Sequence, residues 1–169
     1  LSALTSMKVY ETREKCAAFF GAETENTVFT LNCTEALNFA IKGVTEKIGF
    51  CHVITTDLEH NSVMRPLTKL KMSGDFDFDV ARVYEDETET LKSFESKIRP
   101  GTNFIVCTYA SNVFGDILPV EKIGRLAQKY KIQIGYFKKH FFKDGINKTE
   151  TEKYIAPAAS QLDVLLRIP

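Results

Sequence analysis

Two hydrophobic periods alternate along this chain. Over residues 7–20 the apolar positions Val9, Tyr10, Cys16, Ala17 and Phe20 fall among charges at loose helical spacing, and Gly21 follows as a stop. Thr27-Val28-Phe29-Thr30-Leu31 is short, β-branched and aromatic, which predicts a strand. It runs into a tight turn at Asn32-Cys33-Thr34-Glu35 and a helix over 36–44. The pattern then repeats: strand 52–56, a helix over 62–70 interrupted or begun near Pro66, strand 79–83, helix 88–98 and strand 103–109. The clearest helix is 119–130, with Val120, Ile123, Leu126, Ala127 and Tyr130 on one face and a proline in its first turn. Beyond Ile134, aromatics and cations mix without a period, so that stretch reads as irregular. A short helix over 149–154 and a last strand over 162–166 complete the reading.

Alternating β and α units predict a single α/β domain: three layers, α/β/α, around a mainly parallel sheet. In such sheets ligands bind at the carboxyl ends of the strands, which directs attention to the loops after Leu31, Thr56 and Tyr109. A length of 169 residues suits one such domain. Both ends, Leu1-Ser2-Ala3-Leu4 and Leu166-Arg167-Ile168-Pro169, read as cuts from a longer chain.

Composition narrows the function classes. With 22 Lys plus Arg against 22 Asp plus Glu, no net field draws the chain to nucleic acid or an anionic membrane, so neither partner is expected. The Lys138–Lys148 cluster is too small to change that. No apolar run approaches the roughly 18 residues of a transmembrane helix. Cys16, Cys33, Cys51 and Cys107 are widely spaced with no C-x-x-C, which points to free thiols and a cytoplasmic setting. Cys51, His52, Asp57 and His60 lack regular ligand spacing, so no metal site is expected.

Three segments at predicted strand ends carry candidate chemistry. In Thr30-Leu31-Asn32-Cys33-Thr34-Glu35-Ala36-Leu37-Asn38 a helix begins with unpaired N–H groups and a hydroxyl at Thr34, a setting that favours a phosphate. The same residues also make an ordinary capping box, Asn32 with Glu35 three residues on. In Asp57-Leu58-Glu59-His60-Asn61-Ser62 the histidine could stack on a planar ligand or move protons, or be simply solvated. In Ser111-Asn112-Val113-Phe114-Gly115 the asparagine could donate to a bound heteroatom, although Asn and Gly also serve any turn.

Taken together, these segments resemble a known family. Residues 30–38 resemble the T-x-G-x-T-E-A-x-N phosphate-binding segment of cysteine desulfurases and other class V aminotransferases, which are fold-type I pyridoxal 5'-phosphate (PLP) enzymes. Glu59-His60-Asn61 resembles their E-H-x ring-stacking segment, Ser111 to Gly115 their S-N-x-x-G segment, and Val9 to Glu14 their leading helix. The resemblance implies the large domain of such an enzyme. It further implies that Cys33 and Thr34 meet the PLP phosphate, that His60 stacks on the ring and assists proton transfer, and that Asn112 bonds the phenolic oxygen. Asn32 stands where the family commonly has glycine. The implied function is a PLP-dependent reaction on an amino acid, foremost sulfur release from L-cysteine, in a homodimeric full-length protein.

The resemblance covers about residues 1–133, and 134–169 departs from it. The family's D-A-x-Q segment, whose acid pairs with the pyridine nitrogen, falls on Ile134-Gly135-Tyr136-Phe137-Lys138-Lys139, which has no acid. The family's His-Lys pair, which carries the Schiff-base lysine, is not found in this sequence, and Lys138, Lys139, Lys143, Lys148 and Lys153 read as a solvated face. None of the four cysteines inherits the desulfurase nucleophile. The alternative reading is therefore a truncated, inactive remnant acting as a binding or assembly partner.

Overall fold

A computed structural model describes residues 2–20, 22–49, 51–74, 76–111, 114–137 and 164–167. Five strands make one sheet: β1 (Cys51–Thr56), β2 (Phe76–Ala81), β3 (Thr102–Thr108), β4 (Gln133–Phe137) and β5 (Val164–Arg167), in the spatial order β2-β1-β3-β4-β5. β1 lies parallel to β2 and β3, and β3 parallel to β4; β5 runs antiparallel to β4. Five helices accompany them: α1 (Ser2–Phe20), α2 (Cys33–Ile48), α3 (Asn61–Lys71), α4 (Glu87–Lys97) and α5 (Val120–Lys129).

The strands build two cores because successive side chains leave opposite faces of the sheet. Val53, Phe104 and Val106 point to one face, where α2 contributes Leu37, Ile41 and Val44 and α3 contributes Val63 and Leu67. Ile54, Ile105 and Cys107 point to the other, where α4 adds Phe94 and α5 adds Val120, Ile123 and Ala127. Every residue of β1 is buried, as a central parallel strand covered on both faces requires. The three layers and the mainly parallel sheet match the sequence reading. Each fully buried Leu, Ile or Phe contributes about 1.5–3 kcal/mol of transfer free energy, so the two cores carry the fold.

Three expectations are corrected. Residues 27–31 form no strand: they follow a short 3-10 turn at Thr24–Asn26 and are extended without a ladder partner, with Val28 and Leu31 exposed. β-Propensity describes a fit to a half-buried pleated surface, and here no neighbouring strand provides one. Pro66 neither begins nor interrupts α3; it lies buried in mid-helix, where packing offsets the one backbone bond it cannot donate. The stretch beyond Ile134, expected to be irregular, begins within a strand, Gln133–Phe137, between β3 and β5, and residues 138–163 fall outside the described residues. The helix over 149–154 falls outside the described residues. Among the described residues, no helix is long and apolar enough to cross a membrane.

The helix starts matter most for function. α2 and α3 both begin beside the C-terminal ends of the parallel strands, α3 directly after β1 and α2 running back toward the start of β1. That edge collects the first two candidate segments.

Candidate functional site

α2 begins with the reciprocal cap that its sequence predicts. Asn32 Oδ1 accepts from the Glu35 amide at 2.9 Å, while Glu35 Oε2 accepts from the Leu31 amide at 2.6 Å. Asn32 has φ −164° and ψ 170°, extended backbone open to any residue, so the chain needs no glycine there. Thr34 is exposed in the first turn, and the Asn38 side chain donates to its carbonyl at 2.8 Å. Cap and anion site are compatible: the cap takes one first-turn amide, and the positive end of the helix dipole remains. Cys33 is half-buried in that same first turn, against the α2 face of the core.

His60 is exposed and serves as the N-cap of α3. Its Nδ1 accepts from the Ser62 amide at 3.1 Å and lies 2.9 Å from Ser62 Oγ. A neutral ring whose Nδ1 accepts a backbone N–H carries its proton on Nε2. The cap therefore fixes both ring placement and tautomer, and leaves the ring face and the Nε2–H toward solvent or ligand.

Immediately before it, Glu59 turns inward. Its Oε1 accepts from Thr56 Oγ1 at 2.7 Å and from the Thr108 amide at 2.6 Å. Its Oε2 is buried without a partner among the described residues. Burial pushes this carboxyl up to about 7, against the opposing hydrogen bonds from Thr56 and Thr108. Sequence reading quoted Glu59 only as part of a motif. The signal available was a second acid three residues after the threonine end of β1, on a turn beside apolar Leu58.

Thr34 and His60, 26 positions apart in sequence, line one cleft of about 470 Å³ between α2 and α3. Asn38, Ser62 and Arg65 line it too, as do Lys42 and Lys69. No acid lines it, and Lys42, Arg65 and Lys69 form no ion pair among the described residues. These cations went unread in the sequence. They belong to two lining rows spaced by four residues, Thr34, Asn38 and Lys42 on α2 and Asn61, Arg65 and Lys69 on α3, and that spacing became meaningful only once the helices were neighbours.

The third segment is placed only at its flanks, because Asn112 and Val113 lie outside the described residues. Around them the Ser111 amide donates to the Asp116 carbonyl at 2.8 Å, and the Gly115 amide to the Ser111 carbonyl at 3.0 Å. Gly115 has φ 81°, the left-handed conformation for which glycine suits this turn. The turn follows β3 on the same sheet edge as His60. Of the other cysteines, Cys51 and Cys107 are buried, and desolvation pushes Cys51 up to about 11 and Cys107 up as well. Cys51 and His52 open β1, whereas Asp57 and His60 follow its other end, so these four stand apart. His140, Asp163 and the lysines from Lys138 to Lys153 lie outside the described residues.

The donor set suits an anionic, planar ligand: two helix starts, a hydroxyl, unpaired cations and an imidazole with a fixed tautomer. Comparison with known proteins agrees. The family model for aminotransferase class-V matches residues 1–135, which ends where the sequence resemblance fades. A mitochondrial cysteine desulfurase of Eremothecium gossypii is 32% identical over 130 residues, covering 76% of this chain and 26% of that protein. Among solved structures, a NifS-like protein superposes with a TM-score of 0.72 at 25% identity over 84% of this chain and 39% of its own. The structure of SspA in complex with cysteine superposes with a TM-score of 0.67, also at 25% identity, over 80% of this chain and 46% of its own. The chain spans about a quarter to a third of the length of the curated relatives it matches. With four strands in parallel order, the first two motifs in one cleft and a family model spanning most of its length, this chain belongs to the class V aminotransferase family and is similar to the E. gossypii cysteine desulfurase.

Proposed function

We propose that this chain is the phosphate- and ring-binding part of a PLP-dependent enzyme that acts on an amino acid, with sulfur release from L-cysteine as the reaction. The observation that carries this reading is the convergence of Thr34 and His60 on one cleft flanked by the starts of α2 and α3. The E. gossypii relative is named a cysteine desulfurase, and SspA is solved with cysteine; both support cysteine as the substrate.

Bound here, PLP would supply an electron sink for the substrate's Cα. The chain's own residues would hold it. The first-turn amides of α2 and the Thr34 hydroxyl receive the phosphate, with Cys33 in the same turn. The His60 ring would lie against the pyridine face, its Nε2–H available to hold or pass a proton. Asn112 is proposed for the phenolic oxygen on the strength of the family segment alone. Lys42, Arg65 and Lys69 raise the local positive potential toward an anion. A homodimer and a cytoplasmic location belong to the same proposal, although the E. gossypii relative is named mitochondrial.

A direct titration tests the reading. PLP should bind the full chain and change its absorbance and fluorescence. Pyridoxal, which lacks the phosphate, should bind at least tenfold more weakly, and Thr34→Ala should erase that difference. Equal binding of PLP and pyridoxal would sink the phosphate assignment.

A second reading, a partner protein that binds without turnover, is favoured by one observation: Gln-Ile-Gly-Tyr-Phe of β4 carries no acid. The resemblance places a ring-activating carboxylate on that strand. Alanine formation from cysteine with PLP and a thiol reductant present, the reductant carrying off the released sulfur as sulfide, would reject it; PLP binding with neither alanine nor sulfide formed would support it.

A further inference from the structure

The register between β1 and β3 runs through His52, Val53 and Ile54, the last paired with Ile105. Beyond that pair the two strands continue to Thr56 and Thr108, and a side chain takes over from the ladder: Glu59 Oε1 accepts from Thr56 Oγ1 on β1 and from the backbone amide of Thr108 on β3. Asp57 adds a second tie on the other side, its amide donating to the Ala81 carbonyl at 3.2 Å and its Oδ1 accepting from the Val83 amide at 3.0 Å. The turn that presents His60 is thus pinned to three strand ends. A buried carboxyl without a cation costs stability, and an apolar side chain of similar size would fill the space at lower cost. The acid contributes a fixed position in return.

We propose that Glu59 is a positioning residue for His60, joining β1 to β3 where their ladder ends and so setting where the imidazole stands in the cleft. Both strong acceptor bonds fall on Oε1, and Oε2 is the buried oxygen without a partner among the described residues. A proton arriving on Oε2 therefore leaves the tie intact. The consequence is specific: an amide, which keeps one carbonyl oxygen, should replace the acid here, and no residue lacking an acceptor should.

This inference rests on the PLP reading for its functional consequence, and the test separates the two. In the full chain the ring Cε1–H signals of the histidines are recorded, His60 being assigned by its loss in His60→Gln, and PLP affinity is measured by titration. Glu59→Ala should move the His60 signal while leaving that of His52 in place, and weaken PLP binding about tenfold. Glu59→Gln should restore both to within about twofold of the parent chain. Should the alanine variant fail to fold, Glu59→Leu fills the volume without an acceptor and should show the same losses. An unmoved His60 signal with unchanged affinity in Glu59→Leu or Glu59→Ala overturns the proposal, as does failure of Gln to rescue. If the parent chain does not bind PLP but the His60 signal moves in Glu59→Leu and returns in Glu59→Gln, the PLP reading fails and the positioning role stands.

Discussion

At the amino-terminal end of the sheet, Asp77 of β2 accepts from Lys71 at 2.7 Å and from Arg99, and these two cations hold its carboxyl well below the usual carboxylate range. Beside it, His52 is buried, its Nδ1 2.8 Å from Thr102 Oγ1 and its Nε2 3.3 Å from Asp79 Oδ2. Thr102 Oγ1 also accepts from the Arg99 amide at 2.9 Å. At the carboxyl end, Glu59 has hydrogen bonds but no countercharge among the described residues, and burial raises it instead. One carboxylate is a satisfied ion; the other is an acid held near neutrality. Structure is secured at the first end, and a group able to change charge near pH 7 is kept at the second, beside the cleft.

The largest effect should come from the strand that both ends share. Phe104 of β3 is 1% exposed in the core. Phe104→Ala is expected to cost about 3–5 kcal/mol in chemical denaturation and to weaken both ends at once. If it abolished PLP binding yet left stability intact, the ends would not share a scaffold.

The next effect lies in pH. Glu59 rises from 4.5 to about 7 on folding, so the folded chain binds more protons than the unfolded one between those values. Its contribution to stability is present below pH 4.5 and is lost as pH rises to 7, on the order of 3 kcal/mol. Glu59→Gln should remove that decline; an unchanged slope would show that the acid is not desolvated in solution. His52 works the opposite way. Its value is lowered by burial first and by Arg99 second, so protonation on acidification below 6.5 favours the unfolded chain, and stability falls as pH drops. His52→Gln should flatten the profile on that acid side. The two slopes oppose each other just below 6.5, so each single variant should expose the slope of the other group there.

The smallest effect belongs to the exposed pair. Lys71→Met should cost no more than about 1 kcal/mol at low salt and less at high salt, since half-exposed ion pairs are screened. Asp77 would still have Arg99. A loss above that size would mean that the amino-terminal cluster carries far more of the fold than its exposure implies.

Much of this contrast was legible in sequence, and the gaps have physical causes. α5 was read to within a residue at each end because its apolar face repeats cleanly and a proline precedes it. Thr34 and His60 were singled out because strand-to-helix turns leave unpaired amides. The segment 27–31 misled because its propensity is local while a ladder needs a partner. β4 was missed because Gly135, Tyr136 and Phe137 show no alternation; its identity as a strand comes from pairing with β3. Glu59 could not be assigned a role from sequence, since the amide it accepts from lies 49 residues away.

β3 runs from Thr102, inside the histidine cluster, to Thr108, which donates to Glu59. Six steps of about 3.3 Å separate them by roughly 20 Å, well beyond the roughly 7–10 Å within which substitutions usually couple. The strand is thus a spacer as well as a scaffold: charge placed at one end is scarcely felt at the other. Substitutions at the two ends should combine additively, which lets the chemistry beside the cleft be retuned without reopening the problem of how the chain folds.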